Sequence, residues 1–263
     1  MDDNSFIRYN ERKMKKFTTQ QIIGAGACDP SGRLSLVGAL TLIEDAVTAT
    51  MAELQLDGFT VRRKYGAIMV FAKNHVRFLQ NIGWQDKIKI ACYISTKSPA
   101  RINIDVCVKK GREIALYART EVCAVDLQTG RIRRMDTVGV NDQVSVVKAP
   151  YDLSWQAIEG TGNLIDTVKV RTGNIDYAGH TNNVEYIRLL LNTFTLDEWR
   201  NMAPVELQVA YLNQSFLNDD LSIYACDNQI NGAEKSLSAD VQHERIYTIK
   251  KDQQDILRCS VRW

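Results

Sequence analysis

The chain has 263 residues, 45% of them hydrophobic and 24% charged, enough apolar material for one large domain or two packed ones with a substantial core. Lysine and arginine total 33 against 31 acidic residues, and a net charge of +2 gives no global electrostatic reason to expect nucleic acid or an anionic membrane as partner. Met1 to Lys16 is polar and charged without a signal-peptide core, and no later apolar run spans a bilayer, so the expectation is a soluble, cytoplasmic protein with no membrane insertion.

The first legible element follows the turn sequence Asp29-Pro30-Ser31-Gly32-Arg33. Leu36, Leu40, Ile43, Val47, Met51 and Leu54 recur at helical spacing and predict a helix over Leu34 to Leu56, with Ser35 as N-cap. A strand is expected over Phe71 to Phe78. Ile88, Ile90, Cys92 and Ile94 then alternate with other residues, as do Ile102, Ile104, Val106 and Val108, the period of strands with one face on a core. Lys110-Gly111-Arg112 reads as a hairpin turn into a further strand over Ile114 to Val125. Met135 to Asn163 lacks sustained periodicity and contains Gly139, Pro150, Gly160 and Gly162, so it is expected to connect two halves across the surface.

The pattern then returns in diverged form. Asp176-Tyr177-Ala178-Gly179-His180 leads through Thr181, Asn182 and Asn183 into Val184, Ile187, Leu190, Leu191 and Phe194, again at helical spacing. Thr195 and Glu198 have capping-box spacing for a new helical turn carrying Trp199 and Met202. Strand signals follow at Val209 to Gln214, Leu221 to Cys226, Leu237 to Val241, Ile246 to Ile249 and Ile256 to Val261, and the Asp86 to Cys92 stretch has its counterpart in Asp220 to Cys226. Each half thus reads as a leading strand, a long apolar helix and an antiparallel meander wrapped around it. The expected class is α+β, a tandem (double) hotdog: a first hotdog over residues 1–140, a linker over 141–163 and a second hotdog over 164–263. The six cysteines (Cys28, Cys92, Cys107, Cys123, Cys226 and Cys259) include no C-x-x-C pair and five lie in strand-like segments, so reduced thiols are expected and structural zinc is not.

Asp176-x-x-Gly179-His180-x-Asn182-Asn183-x-x-Tyr186, at a strand-to-helix junction in the second of two hotdog halves, resembles the signature of the acyl-acyl-carrier-protein thioesterases. The resemblance extends over nearly the whole chain, including the first-half helix, the Phe71 to Phe78 strand and Trp84-x-Asp86. It implies hydrolysis of acyl-carrier-protein thioesters without metal or organic cofactor. It implies an acylated phosphopantetheine on acyl carrier protein as partner, and a first half that forms the acyl-chain pocket, with Met51, Met69 and Phe71 on its wall. Two positions depart from the family pattern. Ala178 replaces an Asn and cannot hydrogen-bond through its side chain, and Gln214 stands where the family tends to carry a Glu, beside Ser215 at the position of a Cys in plant members.

Thioester hydrolysis needs a group that delivers water to the carbonyl carbon and donors that hold charge on its oxygen. Asp176 is the expected base or nucleophile, and His180 is expected to orient the thioester or hydrogen-bond the leaving sulfur. Asn182 and Asn183 at the helix start, with its free N–H groups and positive dipole end, and Gln214 are the expected substrate-binding residues. An Asp before a helix is more often a turn residue or N-cap; Asp29, with Arg33 at the His position, is read that way, as is Asn182 taken alone. His75, in an apolar strand, and His243, in a hairpin, are read as structural. Carrier proteins are acidic, so Arg62-Arg63-Lys64, Lys109-Lys110 with Arg112, and Arg131 with Arg133-Arg134 are docking candidates. An acyl-CoA thioesterase and a non-catalytic acyl- or carrier-binding protein are the alternatives. A double hotdog already pairs the helices that single hotdogs bring together by dimerising, so monomer and homodimer are both allowed.

Overall fold

A computed structural model describes residues 16–140, 144–151, 153–160, 162–229 and 243–263. The strand expected at Leu237 to Val241 lies outside them. The first half contains β1 (Phe17–Ile22), α1 (Leu36–Glu53), α2 (Gly58–Tyr65), β2 (Ala67–Phe78), β3 (Lys87–Lys97), β4 (Arg101–Lys110), β5 (Glu113–Asp126) and the short β6 (Ile132–Arg133). The second contains β7 (Asn163–Lys169), α3 (Asn183–Leu191), α4 (Leu196–Asn201), β8 (Glu206–Tyr211), β9 (Asp220–Gln229), β10 (His243–Lys251) and β11 (Gln254–Arg262).

The strands form one antiparallel sheet in the order β1-β3-β4-β5-β2-β8-β11-β10-β9-β7, with β6 paired to β5. Read from either end the order is the same succession of equivalent strands, so the two hotdog halves meet at the β2–β8 seam, in register from Lys73 opposite Ala210 to Arg77 opposite Glu206. His75 on β2 meets Glu206 on β8 at 2.5 Å across this seam, which gives it the structural role expected for it.

α1 is apolar nearly all round, with Leu36, Val37, Leu40, Leu42, Ile43, Ala46 and Val47 all buried, as a helix wrapped by a sheet on one side and packed on a second helix on the other must be. Burying each large side chain contributes about 1.5–3 kcal/mol. Ser35 Oγ accepts the Gly38 N–H at 2.9 Å and sets the helix start. α1 touches α3, and residues of both halves belong to a single apolar core.

Three boundaries differ from the periodicity reading. α2 was not legible because its only buried residue is Val61; it exists because Asp57 accepts the Phe59 and Thr60 N–H groups and Gly66 closes it at φ +64°. β8 ends at Tyr211 rather than Gln214, because the Leu212 and Asn213 N–H groups both turn to the Ile256 carbonyl. Asp86 corresponds to Asp219 rather than Asp220: each accepts, through its carboxylate, the N–H three residues earlier, Gly83 at 2.7 Å and Phe216 at 2.9 Å.

The described residues of 144–160 form no helix or strand. They run across the sheet face opposite the helices, where Arg119 donates to the Leu153 carbonyl, Trp155 packs against His75 and the Gln156 N–H reaches Gln208. No helix among the described residues is long and apolar enough to cross a membrane.

Candidate active site

The two copies of the Asp-x-x-Gly turn are built alike. In the first, the Ser31 and Arg33 N–H groups donate to Asp29 Oδ1 at 2.8 and 3.0 Å, and the Asp29 N–H returns to the Arg33 carbonyl. In the second, the Ala178 and His180 N–H groups donate to Asp176 Oδ1 at 2.8 and 3.2 Å, and the Asp176 N–H returns to the His180 carbonyl. Gly32 at φ +77° and Gly179 at φ +85° take the left-handed corner that an L side chain resists. The next residues, Leu34 and Thr181, each donate a backbone N–H to the opposite loop, at the Ile82 and Ser215 carbonyls.

What surrounds the turns differs. Asp29 is buried and its Oδ2 is taken by Arg33 Nε at 3.0 Å, while Arg33 Nη2 and Ser31 Oγ both donate to the Arg200 carbonyl in the last turn of α4. Asp176 is only half-buried, and its Oδ2 takes no hydrogen bond among the described residues. His180 turns its ring edge to Phe216, centroids 5.2 Å apart, instead of pairing with the aspartate.

Asn182 caps α3, its Oδ1 accepting the Val184 N–H at 2.9 Å, while its own N–H goes to the Asn174 carbonyl. The Asn183 N–H has no partner among the described residues, so the start of α3 keeps a donor that could receive a polarised carbonyl oxygen. Gln214 is exposed in the loop after β8, with no side-chain bond to the turn among the described residues; its neighbour Ser215 makes the connection. Ser215 is fully buried, its hydroxyl 2.7 Å from Thr181 Oγ1 and 2.8 Å from the Tyr186 hydroxyl, which also accepts the Ser215 N–H. This hydroxyl cluster locks the turn and the first turn of α3 to the loop after β8. Thr181, the x of His-x-Asn-Asn, and Tyr186, three residues beyond it, were given no role from sequence.

Sequence reading also passed over Glu44, in the middle of α1. The residue is partly buried, but its Oε1 is shut off from solvent and has no hydrogen-bond partner. Burial first, then the Asp45 and Asp176 carboxylates, push its pKa up to about 8. The Tyr211 phenol at the end of β8, which accepts from Asn74 Nδ2, has its pKa raised by desolvation and then by the Glu44 charge. Glu44 thus lies in the first half and feels the charge of Asp176 in the second.

The rim carries two exposed aromatics, Tyr177 of the turn and Phe59 of α2, stacked with centroids 5.2 Å apart. Arg62, Arg63 and Lys64 lie exposed on the same short helix. In the other basic clusters Lys110 pairs with Asp86, Arg133 with Asp126 and Arg134 with Asp136. Of the expected pocket residues, Met51 is core, and Met69 and Phe71 are partly buried against it. A cavity of about 880 Å³ lies elsewhere, in the second half, bounded by Phe194, Met202, Arg245 and Trp263. His243, read as structural, stacks on Trp263 there.

Residues 23–148 match the family model of the thioesterase-like superfamily, and residues 160–262 that of the acyl-ACP thioesterase C-terminal domain. Among solved structures, an acyl-ACP thioesterase from Bacteroides thetaiotaomicron superimposes with a TM-score of 0.80 at 16% identity, covering 94% of this chain and 97% of that one. A 12:0-ACP thioesterase from Umbellularia californica gives a TM-score of 0.73 at 15% identity, covering 94% and 93%. No curated protein sequence matches the chain.

Proposed function

We propose that this chain is a member of the acyl-acyl-carrier-protein thioesterase family and hydrolyses its substrate at the Asp176 turn of the second hotdog. It is a thiolester hydrolase that releases free fatty acid from acyl carrier protein in fatty acid biosynthesis, and a cytoplasmic location fits that role. In this reading the first hotdog, residues 1–140, supplies the acyl-chain pocket and the second, residues 164–263, the reacting groups.

The observation that carries the assignment is the inequality of two turns of one design. Asp29 spends both carboxylate oxygens on structure, whereas among the described residues Asp176 Oδ2 takes no hydrogen bond and the Asn183 N–H at the start of α3 has no partner. A water held on Oδ2 loses its proton to the carboxylate as it adds to the thioester carbon, and the N–H at the helix start receives the developing oxyanion. His180, braced edge-on by Phe216, stands at the mouth to orient the thioester. Gln214, exposed one residue from the cluster, is placed to meet the pantetheine arm rather than the reacting carbon.

Arg62, Arg63 and Lys64 fit the docking of an acidic carrier better than the other basic clusters do, because they sit on the helix that carries Phe59 against Tyr177. Thiol release measured on acyl carrier protein and on acyl-CoA of matched chain length tests the reading. A lower KM for the carrier-bound substrate, rising with salt, supports it; a salt-independent preference for acyl-CoA overturns the carrier assignment.

A further inference from the structure

We infer that Tyr186 is a positioning residue of the reaction site: through Ser215 its hydroxyl fixes the place of Phe216 and, by that ring, the place of His180. The inference rests on the thioesterase reading above, with the Asp176 turn as its site, and gives a task to a buried side chain that acts through its neighbours.

The hydrogen bonds run without a gap from the phenol to the turn. The Tyr186 hydroxyl accepts the Ser215 N–H at 3.1 Å and lies 2.8 Å from Ser215 Oγ. Ser215 Oγ lies 2.7 Å from Thr181 Oγ1, and the Ser215 carbonyl takes the Thr181 N–H at 2.9 Å and the Thr181 hydroxyl at 3.2 Å. Each hydroxyl has one proton to give. With that of Thr181 on the carbonyl, Ser215 donates to Thr181 and Tyr186 donates to Ser215, so every donor of the cluster has an acceptor. Two chain neighbours carry this order to the site. Thr181 follows His180, whose N–H and carbonyl close the turn on Asp176. Ser215 precedes Phe216, whose ring meets the His180 ring edge-on with centroids 5.2 Å apart. Phe216 is exposed, so no core holds its ring; its backbone is held by the Ser215 bonds on one side and by its own N–H to Asp219 at 2.9 Å.

The other copy of the junction shows that the fold does not need the cluster. The spacing that sets Asp29 against Asp176 sets Leu34 against Thr181 and Ala39 against Tyr186, and the spacing that sets Asp86 against Asp219 sets Ile82 against Ser215 and Gly83 against Phe216. Leu34, Ala39 and Ile82 are all buried, and the backbone bond from the Leu34 N–H to the Ile82 carbonyl forms at 2.7 Å without any hydroxyl beside it. Three apolar residues thus close the first junction, and Gly83 has no side chain with which to brace Arg33. The three hydroxyls and the phenylalanine occur together, at the junction where a histidine stands free of its aspartate. Loss of the Tyr186 oxygen strands the Ser215 N–H in a pocket closed to water, so the loop must shift to satisfy it, and Phe216 and the His180 ring shift with it.

The test is a double-mutant cycle on thiol release from acyl carrier protein, with the His180 ring followed by NMR. Tyr186→Phe, which keeps the ring and removes the oxygen, should lower kcat about 10-fold with KM within about 2-fold of wild type, as a misplaced orienting group does. The same change made in a His180→Ala protein should lower kcat by less than about 2-fold, because there is no longer a ring to misplace. Tyr186→Phe should also shift the ring C–H signals of His180 and leave those of the other two histidines, His75 and His243, where they are. Phe216→Ala alters an exposed side chain outside the buried cluster, and it should reproduce both the loss in kcat and its absence in the His180→Ala background, so the cycle can be closed even if Tyr186→Phe does not fold. A lowered melting temperature with kcat and the His180 signals unchanged would reduce Tyr186 to a structural residue and overturn the inference. Losses that multiply in the double variants would overturn it too, while leaving the Asp176 site standing. A wild-type protein that releases no thiol would remove the thioesterase reading and the inference with it.

Discussion

The Asp29 and Asp176 turns share a backbone, a glycine corner and a pattern of N–H donors, and they do opposite things. At the first, Arg33 closes the carboxylate and reaches over to the end of α4, so the turn is a clasp between the halves. At the second, the His180 ring packs on Phe216 and makes no bond to the carboxylate, and the turn meets α2 through the Tyr177–Phe59 stack. The central helices diverge in step: α3 has Leu191 where α1 has Glu44. Two equivalent junctions thus differ at a few side chains, one carboxylate being fully engaged and the other keeping an oxygen open among the described residues, and the proposed chemistry rests on that difference.

Replacing Glu44 by the residue of the other copy should sharpen this contrast most. Glu44 is raised in the folded state from 4.5 to about 8, so the folded protein holds a proton that the unfolded chain has released between those values. The sign follows: stability conferred below pH 4.5 is lost as pH rises to about 8, at up to about 1.4 kcal/mol per pH unit. Denaturant titrations of Glu44→Leu should therefore show a protein more stable than wild type by a margin that widens over this window and is flat above it.

The His position should answer next. His180→Ala should lower kcat about 10- to 100-fold in a thiol-release assay with little change in melting temperature. The equivalent change, Arg33→Ala, should do the reverse, costing about 2 kcal/mol in unfolding free energy while kcat stays near wild type, because the charged bond to Asp29 and the cap on α4 are lost together. Smaller effects belong to the rim. Arg63→Glu should raise KM for acyl carrier protein several-fold and flatten its salt dependence, with acyl-CoA little affected. Gln214→Ala, altering an exposed side chain, should change kcat by less than about 3-fold.

Much of this was legible in the sequence, because the repeat writes each element twice. Ser35 and Asn182 cap their helices as read, Thr195 and Glu198 form the expected capping box, and the strand alternation gave the sheet. What escaped was whatever depends on the other half. Glu44, between Ile43 and Asp45, reads as the polar edge of a helix, and the charge it feels from Asp176 is not written there. Ser215, at the position of a Cys in plant members of the resembled family, has its hydroxyl engaged by Thr181 and Tyr186. α2 is held by its caps rather than by an apolar face, so periodicity does not reveal it.

The central claim is that one of two equal turns carries the chemistry, and parallel assays of Asp176→Asn and Asp29→Asn on acyl carrier protein test it most directly. The account predicts a loss of at least about 100-fold in kcat for Asp176→Asn with its melting temperature kept, and near wild-type kcat with a lowered melting temperature for Asp29→Asn. Full turnover by Asp176→Asn, or an equal loss of turnover in a well-folded Asp29→Asn protein, would contradict it.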